Sequence, residues 1–179
     1  MAGLSRIARA SALGVCAAVA GCAEAGPEPV AVSVPYAVGV KKAGRVFIAG
    51  RSSPEALKEF RKRGVETVID LRLDKKVPVG YPEAVRRSGL AYVHLPMASD
   101  ALTDAQASAF LKAMRARDRN GVLIQCGSGN RAGGMYGLYY RDKTHCRVPE
   151  AMDRARKAGL RNPELAAALR TYLSKTSGG

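Results

Sequence analysis

Short apolar segments alternate with amphipathic ones along most of the chain, and this alternation constrains the fold more than any other feature of the sequence. The apolar segments are rich in β-branched residues and predict buried strands at residues 46–48, 65–71, 90–95 and 122–125. Strands that alternate with helices form a mainly parallel sheet with helices on its faces. We therefore predict the α/β class: a three-layer sandwich around a mainly parallel central sheet of about 4–5 strands.

Capping residues mark where the helices between these strands begin. Ser53 is followed by Pro54, which suits a first helical position, and Thr103 with Gln106 forms the pattern of a capping box. Three consecutive helices are predicted after the last strand, at residues 131–142, 149–158 and 164–174. We expect these last three helices to cover one face of the sheet.

Residues 1–21 have the pattern of an export signal rather than of a folded segment. A short basic stretch precedes an alanine-rich apolar stretch at residues 10–20, and the signal closes on Val-Ala-Gly-Cys at residues 19–22. This ending resembles the bacterial lipobox, which implies that Cys22 is lipidated as the first residue of the mature protein. The Ala-Val-Ala sequence at residues 18–20 offers ordinary signal peptidase a competing site. We expect an exported protein, periplasmic or at the cell surface, with a membrane as partner through the lipid.

The remaining chain divides into a linker and a single domain. Residues 22–35 contain prolines and show no periodicity, which predicts an extended spacer, and residues 36–175 form the predicted catalytic domain. No apolar stretch of the sequence reaches the roughly 20 residues that a transmembrane helix needs.

The balance of charge is strongly basic, with 29 Lys and Arg residues against 15 Asp and Glu. Such an excess favours anionic partners. The basic residues are scattered, however, and aromatic residues are not interleaved with them, so we expect a small anionic substrate and no nucleic acid. With 2 His residues and no Cys-x-x-Cys motif, the sequence predicts neither a metal site nor a cofactor.

The segment most informative about function follows the strand at residues 122–125. The strand delivers Cys126 to its carboxyl end, where α/β proteins bind ligands. A tight turn then leads to Arg131, which begins a helix. The residues of this turn, predicted to bind an oxyanion, are Gly127, Ser128, Gly129 and Asn130.

Glycines in such a turn let successive main-chain N–H groups point inward and form an anion-binding nest, to which a helix N-terminus adds its positive end. A thiol among these donors is expected to be present as a thiolate, which is the nucleophilic form of cysteine. Arg131 supplies a planar, two-pronged donor suited to a tetrahedral oxyanion. We therefore predict that Cys126 is a catalytic nucleophile and that Arg131 is catalytic with it.

Five segments in a fixed order carry a resemblance to a known family. They are FIAGRS at 47–52, VIDLR at 68–72, YVHLP at 92–96, LTD at 102–104 and CGSGNRAG at 126–133. In this order they resemble the phosphatase-like domain of the beta-lactamase hydrolase-like family, within the cysteine-dependent dual-specificity and protein-tyrosine-phosphatase-like superfamily. The resemblance covers about residues 44–175. It implies a dual-specificity-phosphatase fold and hydrolysis of an anionic phosphoester through a phosphocysteine at Cys126.

Three features depart from the phosphatase pattern. The loop between Cys126 and Arg131 is one residue shorter than in phosphatases and has the length found in rhodanese-type sulfurtransferases. Gln125 stands where phosphatases carry a His, and Ala132 stands where they carry a Ser or Thr that assists phosphocysteine breakdown. Two alternatives therefore stay open: a sulfurtransferase that takes sulfur from a sulfane-sulfur donor as a Cys126 persulfide, and a non-catalytic oxyanion-binding module.

A phosphatase also needs a general acid for its leaving group. The resemblance places this acid on the loop after the strand at residues 90–95, where Asp100 is the candidate. Asp104 is the alternative, although its place in the first turn of a capped helix already explains it. For Asp70, Arg72 and His94 we expect structural roles.

Overall fold

The computed structural model describes residues 26–117 and 119–176. A single sheet of six strands runs through the domain in the order β1-β2-β3-β6-β4-β5. Its strands are β1 (Val30–Ala31), β2 (Lys41–Ala43), β3 (Val46–Ala49), β4 (Val65–Asp70), β5 (Ala91–His94) and β6 (Gly121–Gln125). The last four are mutually parallel where they pair, whereas β1 and β2 join the β3 edge in antiparallel fashion. The predicted α/β class and mainly parallel sheet are confirmed.

Helices cover both faces of this sheet. They are α1 (Pro54–Lys62), α2 (Tyr81–Arg87), α3 (Asp104–Arg115), α4 (Asn130–Thr144), α5 (Val148–Ala158) and α6 (Pro163–Lys175). One apolar core lies under α1 and α2, and the other lies under α3 to α6. The last three helices therefore share one face, as predicted. Among the described residues, no helix combines the length and the apolar character needed to cross a membrane.

Strand β6 lies in the middle of the parallel part of the sheet, between β3 and β4. Its side chains alternate between the two cores, with Leu123 on the α1 side and Ile124 on the α4 side. Because both faces are covered, the whole strand is buried. Its carboxyl end therefore delivers Cys126 to the centre of one sheet edge.

The predicted helix caps are present. The Ser53 hydroxyl accepts a hydrogen bond from the Ala56 N–H at 3.4 Å. The Thr103 hydroxyl accepts from the Gln106 N–H, and the Gln106 side chain accepts from the Thr103 N–H, which completes the capping box. These caps fix the starts of α1 and α3.

Within the predicted linker, residues 22–35, the described part does not form an extended spacer. Residues 26–35 pack on the domain: Val30 pairs with Lys42, and Val34 is buried. Glu28 forms an ion pair with Arg154 of α5 at 2.7 Å. Strands of two and three residues, such as β1 and β2, leave too short a pattern to be detected in a sequence, and these two bring the strand number from the predicted 4–5 to six. Residues 22–25, with the lipidation candidate Cys22, and the predicted signal at 1–21 lie outside the described residues.

Candidate active site

Cys126 lies at the bottom of the loop that joins β6 to α4. Its N–H continues the sheet by donating to the Ala49 carbonyl at 3.2 Å, and the residue is fully buried. The Gly129 N–H donates to the Cys126 Sγ at 3.1 Å. The sulfur therefore already accepts a main-chain hydrogen bond of the kind that stabilises a thiolate.

The loop carbonyls are tied to groups outside the loop. The Gly127 carbonyl accepts from the Arg51 N–H at 3.1 Å, and the Ser128 carbonyl accepts from the Arg161 guanidinium at 3.2 Å. Because the C=O and N–H of a trans peptide point in opposite directions, the N–H groups of Ser128 and Gly129 point away from those two arginines. The Gly129 N–H accordingly meets the sulfur. This arrangement is compatible with the predicted binding of an anion by main-chain donors, which stays a prediction.

Two glycines make this loop geometry possible. Gly129 has a φ of +88°, in the left-handed region that side chains other than glycine rarely adopt. Gly50, on the neighbouring strand end, pairs with Ser128 across the loop. A Cβ atom on Gly50 would lie 3.1 Å from the Gly127 carbonyl oxygen, so a larger residue would push the loop outward.

Arg131 is held across the loop by the ends of two neighbouring segments. Its Nη1 donates to the Leu71 carbonyl at 2.8 Å and to the Met97 carbonyl at 2.9 Å. A Cβ atom built on Gly127 would lie 3.6 Å from Nη2, which places this nitrogen beside the loop. One nitrogen therefore fixes the guanidinium, and the other lies on the loop side where an oxyanion would sit.

The Asn130 side chain connects two parts of the fold. Its Oδ1 accepts from the N–H groups of Arg161 at 2.6 Å and Asn162 at 2.8 Å. The side chain thus joins the start of α4 to the connection between α5 and α6. Only the main-chain N–H of Asn130 is left for the predicted binding of an anion.

A buried polar network lies behind Cys126 at the same sheet edge. Its centre is Asp70, which is fully buried and forms a salt bridge with Arg72 at 2.6 Å. The Asp70 carboxylate also accepts from the Tyr92 hydroxyl at 3.1 Å and from the Gln125 amide at 3.0 Å. Asp70 and Arg72 thus pair with each other, in keeping with the structural roles expected for them, and Gln125 joins this network.

Gln125 is fixed at both ends of its amide. Its Oε1 accepts from the Tyr81 hydroxyl at 3.0 Å while its Nε2 donates to Asp70. Burial raises the pKa of Tyr81 to about 12, although its hydrogen bond to Gln125 acts in the opposite direction. Tyr81 is therefore a neutral donor at physiological pH. Sequence reasoning missed this role; the one signal was an amide in an otherwise apolar buried strand.

His94 has the structural role that the sequence predicts. Its Nε2 lies 2.7 Å from the Arg72 carbonyl oxygen, and its Nδ1 lies 3.5 Å from Asp74. The ring thus ties the end of β5 to the chain that follows β4.

Asp100 lies on the loop between β5 and α3 and is exposed. The contact between this loop and the site is made by Met97, whose carbonyl accepts from Arg131. Asp104 is the first residue of α3, directly after the Thr103 cap, as its structural explanation requires. Within residues 26–117 and 119–176, no cluster of His, Cys, Asp and Glu side chains could hold a metal ion.

A relative of known sequence supports the family resemblance. The beta-lactamase hydrolase-like protein of Xylella fastidiosa (strain Temecula1 / ATCC 700964) is 34% identical over 99 residues, which make up 52% of this chain and 23% of that protein. The chain therefore matches about a quarter of the relative's length.

Solved structures share the fold at low sequence identity. A DUF442 protein from Shewanella putrefaciens CN-32 superposes with a TM-score of 0.67 at 22% identity, over 80% of this chain and 93% of that one. TpbA of P. aeruginosa, solved as a cysteine-to-serine variant in complex with pTyr, gives a TM-score of 0.68 at 15% identity, over 88% of this chain and 100% of that one. These likenesses establish a phosphatase-like fold, and the comparisons give the sulfurtransferase alternative no support.

A family model covers most of the domain. Residues 36–169 match the model PTP-NADK, described as DSP-PTPase phosphatase fused to NAD+ kinase. The match includes β2 to β6, the cysteine loop and the helices up to α6. The chain therefore belongs to the PTP-NADK family of DSP-PTPase phosphatases.

Proposed function

We propose that this protein is a cysteine-dependent phosphatase that hydrolyses an anionic phosphoester through a phosphocysteine at Cys126. The observation that carries the proposal is the hydrogen bond from the Gly129 N–H to the Cys126 sulfur, in a loop spanned by a fixed Arg131. Family membership gives this geometry a chemical context, because the family is one of phosphatases.

In the first step the Cys126 thiolate attacks phosphorus. A sulfur–phosphorus bond forms, the phosphorus–oxygen bond to the leaving group breaks, and its electron pair stays on the leaving oxygen. The main-chain N–H groups of Ser128 and Asn130 and the Arg131 Nη2 would bind the phosphoryl oxygens, where charge accumulates. In the proposed scheme Asp100 gives its proton to the departing oxygen.

In the second step a water molecule attacks the phosphocysteine. The carboxylate formed at Asp100 accepts a proton from this water as its oxygen bonds to phosphorus. The sulfur–phosphorus bond breaks with its electron pair left on sulfur, so phosphate leaves and the thiolate is restored. Ala132 offers no hydroxyl at the position where the family resemblance implies a Ser or Thr that assists this step, and it is fully buried. We therefore expect breakdown of the phosphocysteine to be the slow step.

The direct test is phosphate release from an aryl phosphate by the reduced protein. Cys126→Ser should reduce the rate to background, since a hydroxyl in this loop lacks the thiolate's nucleophilicity. Cys146→Ser is the matched control, because Cys146 is the other buried cysteine of the described residues and lies after α4. It should keep most of the activity. If the folded, reduced protein binds inorganic phosphate but does not hydrolyse the aryl phosphate, the result would instead support the non-catalytic oxyanion-binding module.

A further inference from the structure

A cleft of about 590 Å³ opens beside the cysteine loop, between the chain before β2, the start of α1 and the start of α2. We infer that this cleft binds the leaving-group side of the substrate, and that this group combines an apolar, aromatic part with a second negative charge. The inference rests on the proposed phosphatase function and extends it to the class of phosphoester. The residues that line the cleft include Tyr36, Val38, Arg51, Ser52, Val79 and Arg87.

The apolar character of the cleft is unusual for this surface. Four large apolar side chains of the described residues are exposed, and three of them line the cleft: Tyr36, Val38 and Val79. Val79 is fully exposed and Tyr36 is 71% exposed. A concentration of exposed apolar side chains in one concave place is typical of a ligand-binding site.

Tyr36 is held in this position by strained backbone. Its φ of +62° lies in the left-handed region, which is costly for a residue with an aromatic side chain. Its carbonyl accepts from the Ser53 N–H at 3.0 Å, and the nearby Val38 N–H donates to the Arg51 carbonyl at 3.1 Å. Residues with strained backbone of this kind cluster at functional sites.

The charge of the cleft is entirely positive. Arg51 and Arg87 are exposed at its rim and take part in none of the ion pairs found among the described residues, and no acidic residue lines it. A third arginine, Arg72, is buried and neutralised by Asp70. Two uncompensated guanidinium groups beside apolar walls favour a ligand that carries a negative charge outside its apolar part.

Ser52 adds a hydroxyl group that could form a hydrogen bond with a ligand. The residue is 5% exposed, and its hydroxyl has no hydrogen-bond partner within the part of the chain that the structure describes. A buried hydroxyl without a partner is costly, and a polar atom of a bound ligand would satisfy it.

Two residues that line the cleft are connected to the cysteine loop. The Arg51 N–H donates to the Gly127 carbonyl, so this rim of the cleft is bonded to the loop itself. Arg72 directly follows Leu71, whose carbonyl accepts from Arg131. In our inference, a phosphoester with its phosphate on the loop places its leaving group in this cleft.

The test compares three aryl phosphates that share a scaffold and differ in distal charge: the phosphates of 3-(4-hydroxyphenyl)propanoate, 4-ethylphenol and tyramine. We expect kcat/KM to fall in that order, by about fivefold at each step, the size of an exposed charge interaction. Arg87→Gln should reduce the ratio between the carboxylate and the ammonium substrate about fivefold. Arg170→Gln, the same change on an exposed arginine of α6, should leave this ratio unchanged.

Equal kcat/KM values for the three phosphates, or a preference for the ammonium compound, would overturn the inference. Titration calorimetry of the same three compounds with the Cys126→Ser protein separates this outcome from failure of the proposed function. Binding in the expected order without hydrolysis by the unaltered protein supports the cleft and contradicts the phosphatase. Val79→Ser should weaken binding of all three compounds by a similar factor, and unchanged affinities would contradict the apolar contact.

Discussion

At the scale of single residues, the setting of Cys126 depends on main-chain groups and on the side chains that orient them. Arg51 and Arg161 hold two loop carbonyls outward, and the Gly129 N–H consequently meets the sulfur. Arg131 is fixed by two carbonyls rather than by an acidic side chain, so its positive charge stays available for an anion. This arrangement fits the oxyanion binding that we propose for the site.

Asp100→Asn tests the proposed general acid. For an ester with a poorly activated leaving group, such as phenyl phosphate, we expect kcat/KM, which reports the first step, to fall about 10²-fold, since the departing oxygen then needs a proton. For a nitrophenyl ester, which leaves readily as an anion, the fall should be small. Asp104→Asn, the same change at the start of α3, is the control. Equal losses for both esters would remove Asp100 from this role.

Tyr81→Phe should change how stability depends on alkaline pH. The pKa of Tyr81 is raised to about 12 in the folded protein, mainly by burial. The pKa of a tyrosine in the unfolded chain is about 10. The contribution of neutral Tyr81 to the free energy of unfolding is therefore complete below pH 10 and is lost as pH rises towards 12. The free energy of unfolding should fall by about 2 kcal/mol more in the unaltered protein than in Tyr81→Phe over this range. Parallel curves from urea unfolding would contradict the assignment.

At the scale of secondary-structure elements, the close packing of α4 against α5 helps to fix the position of the cysteine loop, which leads into α4. A Cβ atom on Gly137 would lie 2.5 Å from the Ala155 Cβ, and one on Gly133 would lie 2.6 Å from the Leu160 N. Only glycine permits so short a distance between the two elements. Because Asn130 binds the chain that follows α5, this packing also fixes the start of α4.

Two substitutions in α4 should therefore have opposite effects. Gly137→Ala forces α4 and α5 apart and should destabilise the protein by about 1–3 kcal/mol. In Gly134→Ala the new methyl group lies 3.5 Å from Leu165 Cδ2, an ordinary contact, so the helix propensity of alanine should make the change neutral or stabilising by up to about 1 kcal/mol. Urea unfolding of both variants measures the difference. If both variants lost a similar free energy of unfolding, the room available for a methyl group at each position would not be what controls the packing of α4.

At the scale of the whole molecule, local patterns are sufficient to predict the mainly parallel sheet, most of the helices and the position of the cysteine loop. β-branched segments, caps and glycines are short-range signals, and they agree with the observed elements. The packing of residues 26–35 could not be predicted, because it depends on a two-residue pairing and on ion pairs from Glu28 to Arg154 and Lys157. These contacts join parts of the chain that are distant in sequence.

The candidate site, like the fold, could be predicted from the sequence only in part. Cys126 and Arg131 share one local motif, whereas the partners that orient them come from other elements. The link from Tyr81 through Gln125 to Asp70 joins three segments, and the Asn130 side chain is directed to a helix connection about 30 residues later. Side-chain partners chosen by tertiary structure leave little trace in a single sequence.

The most direct test of the central claim is to trap the phosphocysteine. The reduced protein is mixed with an aryl phosphate, denatured within its first turnovers and digested, and its peptides are weighed by mass spectrometry. We predict one added phosphoryl group on the peptide that contains Cys126, none in Cys126→Ser, and less accumulation in Ala132→Ser, where a hydroxyl would speed the second step. Rapid phosphate release with no phosphorylated Cys126 peptide at any time would contradict a mechanism through this thiolate.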